Sequence, residues 1–296
     1  MIEAKLVVLA AGAMGTPVIL RQSEAALGRI PAAVGRHFST NGDRVSMALL
    51  DEEKVSSVLR LQREPGTPYG AFHIGKPIGS MSYDFLDGAR PEFERFGLQQ
   101  IYFPSITNIL PEDGTPAEPQ WFGIDKKQLT ARWRSWLTLL ALTEDDNEGT
   151  FGPPPPTGNF VRAAPTAVVT TLRYHANEHT RRGWEASDQA IRAIIEKDGV
   201  GKHLSWVGGQ PTLTAHPLSS CRMGDDPATS ALTPDNELRG SPGLFVTDGS
   251  AVPASLTVNP SLTIAALAER ASGAIAARAA EAGISLRSGV PVPGNA

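Results

Sequence analysis

A single cysteine, Cys221, leaves this chain of 296 residues no route to an intrachain disulfide. It also excludes the multi-cysteine ligand sets of zinc ribbons and iron–sulfur clusters. Basic residues are equally sparing: 27 Lys and Arg stand against 31 Asp and Glu, a net charge of -4, and no Lys/Arg-rich run appears. Without a reservoir of positive charge, nucleic acid is not an expected partner. No apolar stretch approaches the roughly 18 residues that mark a membrane span, and Met1 is followed by Glu3 and Lys5 rather than by a signal-peptide pattern. The lone cysteine fits a reducing compartment, so a cytoplasmic location is favoured. A G-x-G-x-x-G loop is missing too, which removes the usual sequence signature of pyrophosphate binding. What is present, 41% hydrophobic and 20% charged residues, is the make-up of a globular protein with one large core or two smaller ones.

The segment KLVVLAAGAMGTPVILRQS reads as a buried strand over 6–10, a small-residue turn at Gly12 and Gly15, and a helix with Pro17 near its first turn. This is a strand-turn-helix unit of a nucleotide-binding sheet, and such a strand needs neighbours on both sides. Beyond Asp43 the texture changes. VSMALL, VSSVLRL, QQIYFPSI and LTLLALT are short β-rich or apolar runs between Pro, Gly and Asp clusters, the pattern of a mostly antiparallel sheet. The four prolines of FGPPPPTGNFV suit a stiff surface connection or hairpin tip. The stretch from Thr166 to Gly199 reads as one or two amphipathic helices. GLFVTDGS is again a buried strand entering a turn, and a long helix follows with Asn259 in the N-cap position and Pro260 at its first position. The expected organisation is therefore a nucleotide-binding domain assembled from residues 1–43 and 231–296, with a second domain, 44–230, inserted between them.

Three ordered blocks, VVLAAGAMGTPVIL, TAHPLSSCRMG and LFVTDGSAVPASLTVNPSLTIAALAER, resemble the later flavin-contacting and catalytic segments of the glucose-methanol-choline (GMC) family of FAD oxidoreductases. GRHFSTNGD, ALTEDDNEGTF and VTDGSAVPAS are most similar to its cholesterol oxidase-like branch. The resemblance runs from about Lys5 to Arg270 and lacks the family's N-terminal half with its Gly-rich FAD loop. It implies an α/β, Rossmann-like FAD-binding domain, incomplete in this chain, and an inserted α+β substrate domain built mostly on an antiparallel sheet. FAD is the implied cofactor and a small-molecule alcohol, a sterol or another bulky one, the implied substrate. A second chain carrying the missing flavin-binding half is an implied partner.

The implied chemistry explains the residue types. Alcohol oxidation removes a hydroxyl proton and transfers the α-hydrogen as hydride, so a base and a second polar group must meet the hydroxyl. The resemblance gives His216 the proton and Asn259 a hydrogen bond to the substrate oxygen or the flavin edge. Gly12, Gly15, Asp248, Gly249, Asn259 and Pro260 become cofactor-binding positions, and the N-terminus of the last helix would favour negative charge on a reduced flavin. Gln100, or else Gln99, falls where the cholesterol oxidase-like branch carries a glutamate that serves double-bond isomerisation. An amide cannot accept that proton, so oxidation without isomerisation is expected. Three alternatives stand beside this reading: a non-redox hydroxynitrile lyase-like relative, an inactive fragment, and a zinc hydrolase. The last rests on HANEH, whose His175 and His179 would bind metal if they lay one helical turn apart; the expectation is that they bind none. Cys221 reads as a small buried hydrophobe.

Overall fold

Strand pairing between distant parts of the chain divides this protein into two compact units, as seen in a computed structural model that describes residues 3–51, 53–54, 78–101, 136–152, 171–204 and 214–284. The first unit gathers 1–39, 146–175 and 216–296, and the second 40–145 and 176–215. These boundaries differ from the expected 1–43, 231–296 and 44–230. Residues 146–175 join the first unit because Phe38 and Gly149 form an antiparallel bridge and the Phe151 N–H donates to the Gly35 carbonyl at 2.6 Å.

The first unit contains a parallel pair, β1 (Val7–Leu9) with β9 (Leu244–Val246), in which Val8 faces Phe245. Helix α1 (Gly12–Gln22) follows β1 directly, and a short α2 (Glu24–Leu27) follows that. Pro17 lies inside α1 rather than near its first turn. An interior proline removes the N–H that would reach the carbonyl four residues back. That carbonyl is Ala13 O, and the buried Ser220 hydroxyl donates to it at 2.6 Å. Leu20, Ile30, Val34, Cys221, Leu232, Leu238 and Val246 form the core beneath. A hairpin of β6 (Thr150–Gly152) and β7 (Thr171–Arg173) pairs Phe151 with Leu172. The proline-rich segment expected at its tip lies outside the described residues. Thr171–Arg173 was expected in a helix; its β-branched Thr171 and apolar Leu172 instead find a strand partner about twenty residues upstream, a long-range pairing that overrides local pattern.

The second unit carries a five-stranded sheet in the order β3-β4-β5-β2-β8. These strands are β2 (Asp43–Leu50), β3 (Ile78–Ser82), β4 (Gly97–Ile101), β5 (Trp136–Leu142) and β8 (Gly201–Leu204), and every pairing is antiparallel. VSMALL, the start of QQIYFPSI and LTLLALT thus supply strands as expected, while VSSVLRL lies outside the described residues. Helix α3 (Glu178–Glu196) packs on one face. Its buried Gly183, Ser187, Ile191 and Ile195 recur at helical spacing, and Ile191 and Ile195 pack with Ala48, Leu98, Leu139 and Ala141. Asn177 caps α3 by accepting from the Thr180 N–H at 3.0 Å. On the same face Asp188 of α3 pairs with Arg44 and accepts from the Ser46 hydroxyl at 2.7 Å.

Candidate functional site

The turn after β9 ties the first unit together. Asp248 stands two residues past the strand and caps a 3-10 turn, Gly249–Ala251, through Oδ1, which accepts from the Ser250 N–H at 2.8 Å. Its Oδ2 accepts from the Gly12 N–H at 3.0 Å and from the Thr16 hydroxyl at 2.5 Å. A nearly buried carboxylate thus fastens the start of α1 to the β9 turn across more than 230 residues of sequence. Gly12 has φ +75 with open space where a Cβ would stand, so backbone conformation rather than crowding calls for glycine. A Cβ on Gly15 would stand 3.0 Å from Ala11 Cβ.

Gly249 is small for a different reason. A Cβ there would lie 3.1 Å from the Pro217 carbonyl oxygen and 3.2 Å from Ile264 Cδ1. The residue after His216 and the first turn of the last helix, α4 (Ser261–Glu281), therefore meet on this one glycine. The Ser219 N–H donates to the Gly249 carbonyl at 3.0 Å and the Ile264 N–H to the Pro260 carbonyl at 2.8 Å. The segments bearing His216 and Asn259, both residues half-buried, are in this way brought to the same turn as Asp248 and, through it, Gly12.

The expected cap at Asn259 is corrected. The helix begins one residue later than expected, and Pro260 takes the N-cap place with a helical φ and no side-chain cap bond of its own. Asn259 thus stands outside the helix, at the end of a loop in which Thr257 holds φ 56, a conformation that β-branched residues rarely adopt. Sequence reading passed over three residues of this site. Thr16 and Ser220 carry no motif of their own. Asn147, in EDDNEG, has φ 55, is buried, and bonds the loop before Asn259 through both ends of its amide. An asparagine beside a Glu-Gly turn is the sole sequence signal for it.

Gln100 belongs to the second unit. Strand alternation puts it on the α3 face, opposite Leu139, whereas the fully buried Gln99 pairs with Leu140 and shares the other face with Met47 and Thr138. His175 precedes the N-cap of α3 while His179 lies within the helix, so the two are not one helical turn apart and the zinc-binding geometry of HANEH is not formed. His179 instead approaches Glu144 at 3.8 Å and packs against Phe93. Burial pushes the Cys221 thiol up to about 12, which removes it as a nucleophile at neutral pH.

Residues 157–268 match the family model of the GMC oxidoreductase C-terminal domain. This stretch carries a GMC oxidoreductase C-terminal domain, and FAD is the cofactor of that family. It is 33% identical over 162 residues to a cholesterol oxidase of Mycobacterium tuberculosis, covering 46% of this chain and 27% of that protein. It is 40% identical over 280 residues to paromamine 6'-oxidase of Streptomyces fradiae, covering 93% of this chain and 46% of that protein. The chain therefore spans less than half the length of either relative. Among solved structures, a formate oxidase of Aspergillus oryzae superimposes with a TM-score of 0.56 at 14% identity, over 93% of this chain and 55% of that one, a likeness of fold.

Proposed function

We propose that this chain is the C-terminal part of an FAD-dependent alcohol oxidoreductase. Its first unit forms part of a Rossmann-like flavin domain and its second unit forms the substrate domain. The observation that carries the reading is the convergence of the His216 segment, the Asp248 turn and the first turn of α4 on Gly249. The residues present fit a flavin in two respects. Pro260 at the N-cap offers no side-chain acceptor, and the first N–H groups of a helix have no partner within it, so the start of α4 suits an electron-rich edge. The Asp248 carboxylate also fixes the left-handed backbone at Gly12, where a cofactor backbone could approach without meeting a side chain.

The backbone of Gly12, Gly15, Asp248, Gly249, Asn259 and Pro260 would hold the cofactor. When bound, FAD supplies the hydride acceptor. His216 takes the hydroxyl proton as the alkoxide develops, and the Asn259 amide donates to that oxygen and orients it. The positive end of α4 favours negative charge gathering at its N-terminus during turnover.

The rest of the flavin domain comes from a further segment or from a second chain. In support, β1 is exposed on both faces, Val7 at 38% and Val8 at 42%, and among the described residues β9 is its one strand partner. Leu262, on the first turn of α4, is 81% exposed. Apolar surfaces of this kind on a strand and a helix are suited to cover by more protein.

The test is an absorption spectrum of the chain alone and with its completing segment or partner, followed by anaerobic reduction with cholesterol, paromamine and a primary aliphatic alcohol. Stoichiometric FAD in the completed protein and bleaching by one of these alcohols are expected. His216→Ala should then slow flavin reduction by about 100-fold or more. A completed protein that binds no FAD, or reduction unchanged in the variant, refutes the reading.

A further inference from the structure

We infer that Asn147 is a positioning residue for Asn259, acting through the loop that delivers it. This inference rests on the alcohol oxidoreductase reading above. The loop from Val252 to Pro260 joins the 3-10 turn at Gly249–Ala251 to α4 and contains no helix or strand that would fix its path. Near its middle, Asn147 grips it twice. Nδ2 donates to the Pro253 carbonyl at 3.4 Å, and Oδ1 accepts from the Ser255 N–H at 3.3 Å. One planar amide therefore sets the spacing of two backbone groups two residues apart, as a strand neighbour would. Asn147 is itself 95% buried and left-handed at φ 55, a conformation asparagine tolerates better than most residues. Gly149 N–H and Phe38 carbonyl, 2.9 Å apart, bond just beyond it, so the amide is presented from a backbone that cannot swing away.

Downstream, the chain turns through the left-handed Thr257 and reaches Asn259 two residues later. A loop released at Pro253 and Ser255 would let Thr257 relax toward an ordinary β-branched conformation, and Asn259 would move with it. Only asparagine, offering one donor and one acceptor from a short side chain, makes both bonds. Aspartate keeps the acceptor and loses the donor.

The test uses the FAD-loaded holoenzyme, assembled as above, with Asn147→Ala, Asn147→Asp, Asn259→Ala and the double variant Asn147→Ala/Asn259→Ala. Flavin reduction is measured with whichever of the three alcohols bleaches fastest. Asn147→Ala should slow reduction about tenfold at unchanged FAD occupancy, and Asn147→Asp should fall between it and the parent. In the Asn259→Ala background the Asn147 change should add nothing, because its effect passes through the missing side chain. Independently of turnover, hydrogen exchange over residues 253–259 should accelerate in both Asn147 variants while that of α3 stays as in the parent. Equal slowing by Asn147→Ala in both backgrounds, or unchanged exchange in that loop, overturns the inference alone. Parent-like reduction by Asn259→Ala overturns it together with the reading on which it rests.

Discussion

Ser220→Ala tests how a helix accommodates an interior proline. Pro17 leaves Ala13 O without its helical donor, and the Ser220 hydroxyl fills the place at 2.6 Å in a fully buried setting. Removing the hydroxyl strands a buried carbonyl, which costs about 1–3 kcal/mol, the desolvation penalty of an unmatched acceptor. The same carbonyl can be satisfied in another way. Pro17→Ala restores an N–H at the position from which an α-helix would reach Ala13 O, so in the Ser220→Ala background it should recover much of the loss. Alone it should be neutral or stabilising, since helix propensity improves. Chemical denaturation of the four members of this cycle, in the completed protein, gives the coupling directly. We expect an interaction energy of about 1 kcal/mol or more, as found for groups that share one partner. Simple addition of the two changes, or a Ser220→Ala midpoint equal to the parent's, would show that Ala13 O is not held in this way.

Asp248→Ala should loosen the start of α1, because the Gly12 N–H, the Thr16 hydroxyl and the Ser250 N–H lose one common acceptor; a melting temperature and an FAD affinity both equal to the parent's would count against that role. His203, buried on β8 with neither ring nitrogen hydrogen-bonded among the described residues, has its pKa lowered first by burial, with Asp188 and Glu196 opposing and Arg192 and Arg44 assisting. An imidazole that binds its proton more weakly when folded than when unfolded stabilises the fold above about pH 6.5 and loses that contribution as pH falls through the folded value. His203→Gln should therefore flatten the acid-side decline in a melting profile between pH 7 and 5, and an equally steep decline in the variant would refute the assignment.

The second unit's sheet was legible because its strands announce themselves locally: Asp43–Leu50 and Trp136–Leu142 are short apolar runs flanked by turn formers. Alternation was legible in kind but not in sense. Whether Gln99 or Gln100 faces α3 depends on where Ile191 and Ile195 land, which no local pattern states. The site was legible as a set of blocks, since His216, Asp248 and Asn259 each sit in a recognisable run. Its fastenings were not. The bond from Asp248 to Thr16 spans 232 residues, and the grip of Asn147 on Ser255 spans 108, so neither leaves a trace in spacing. The cap at Asn259 failed for a local reason: proline is as acceptable just before the first helical position as at it, and a boundary shift of one residue is enough to move the cap.

The pairing of β1 with β9 also has a history within each molecule's synthesis. Val7–Leu9 leaves the ribosome first and finds Leu244–Val246 only after more than two hundred further residues have been made. At about 5–20 residues per second that interval is of the order of tens of seconds. During it an apolar strand waits without this neighbour, while the second unit, complete by Ala215, already has all its own strands at hand. Folding that unit first draws Ser39 and His216 onto fixed ends and so shortens the loop that β1 and β9 must close. Newly made chains should therefore be most prone to misassociation before residue 246 emerges.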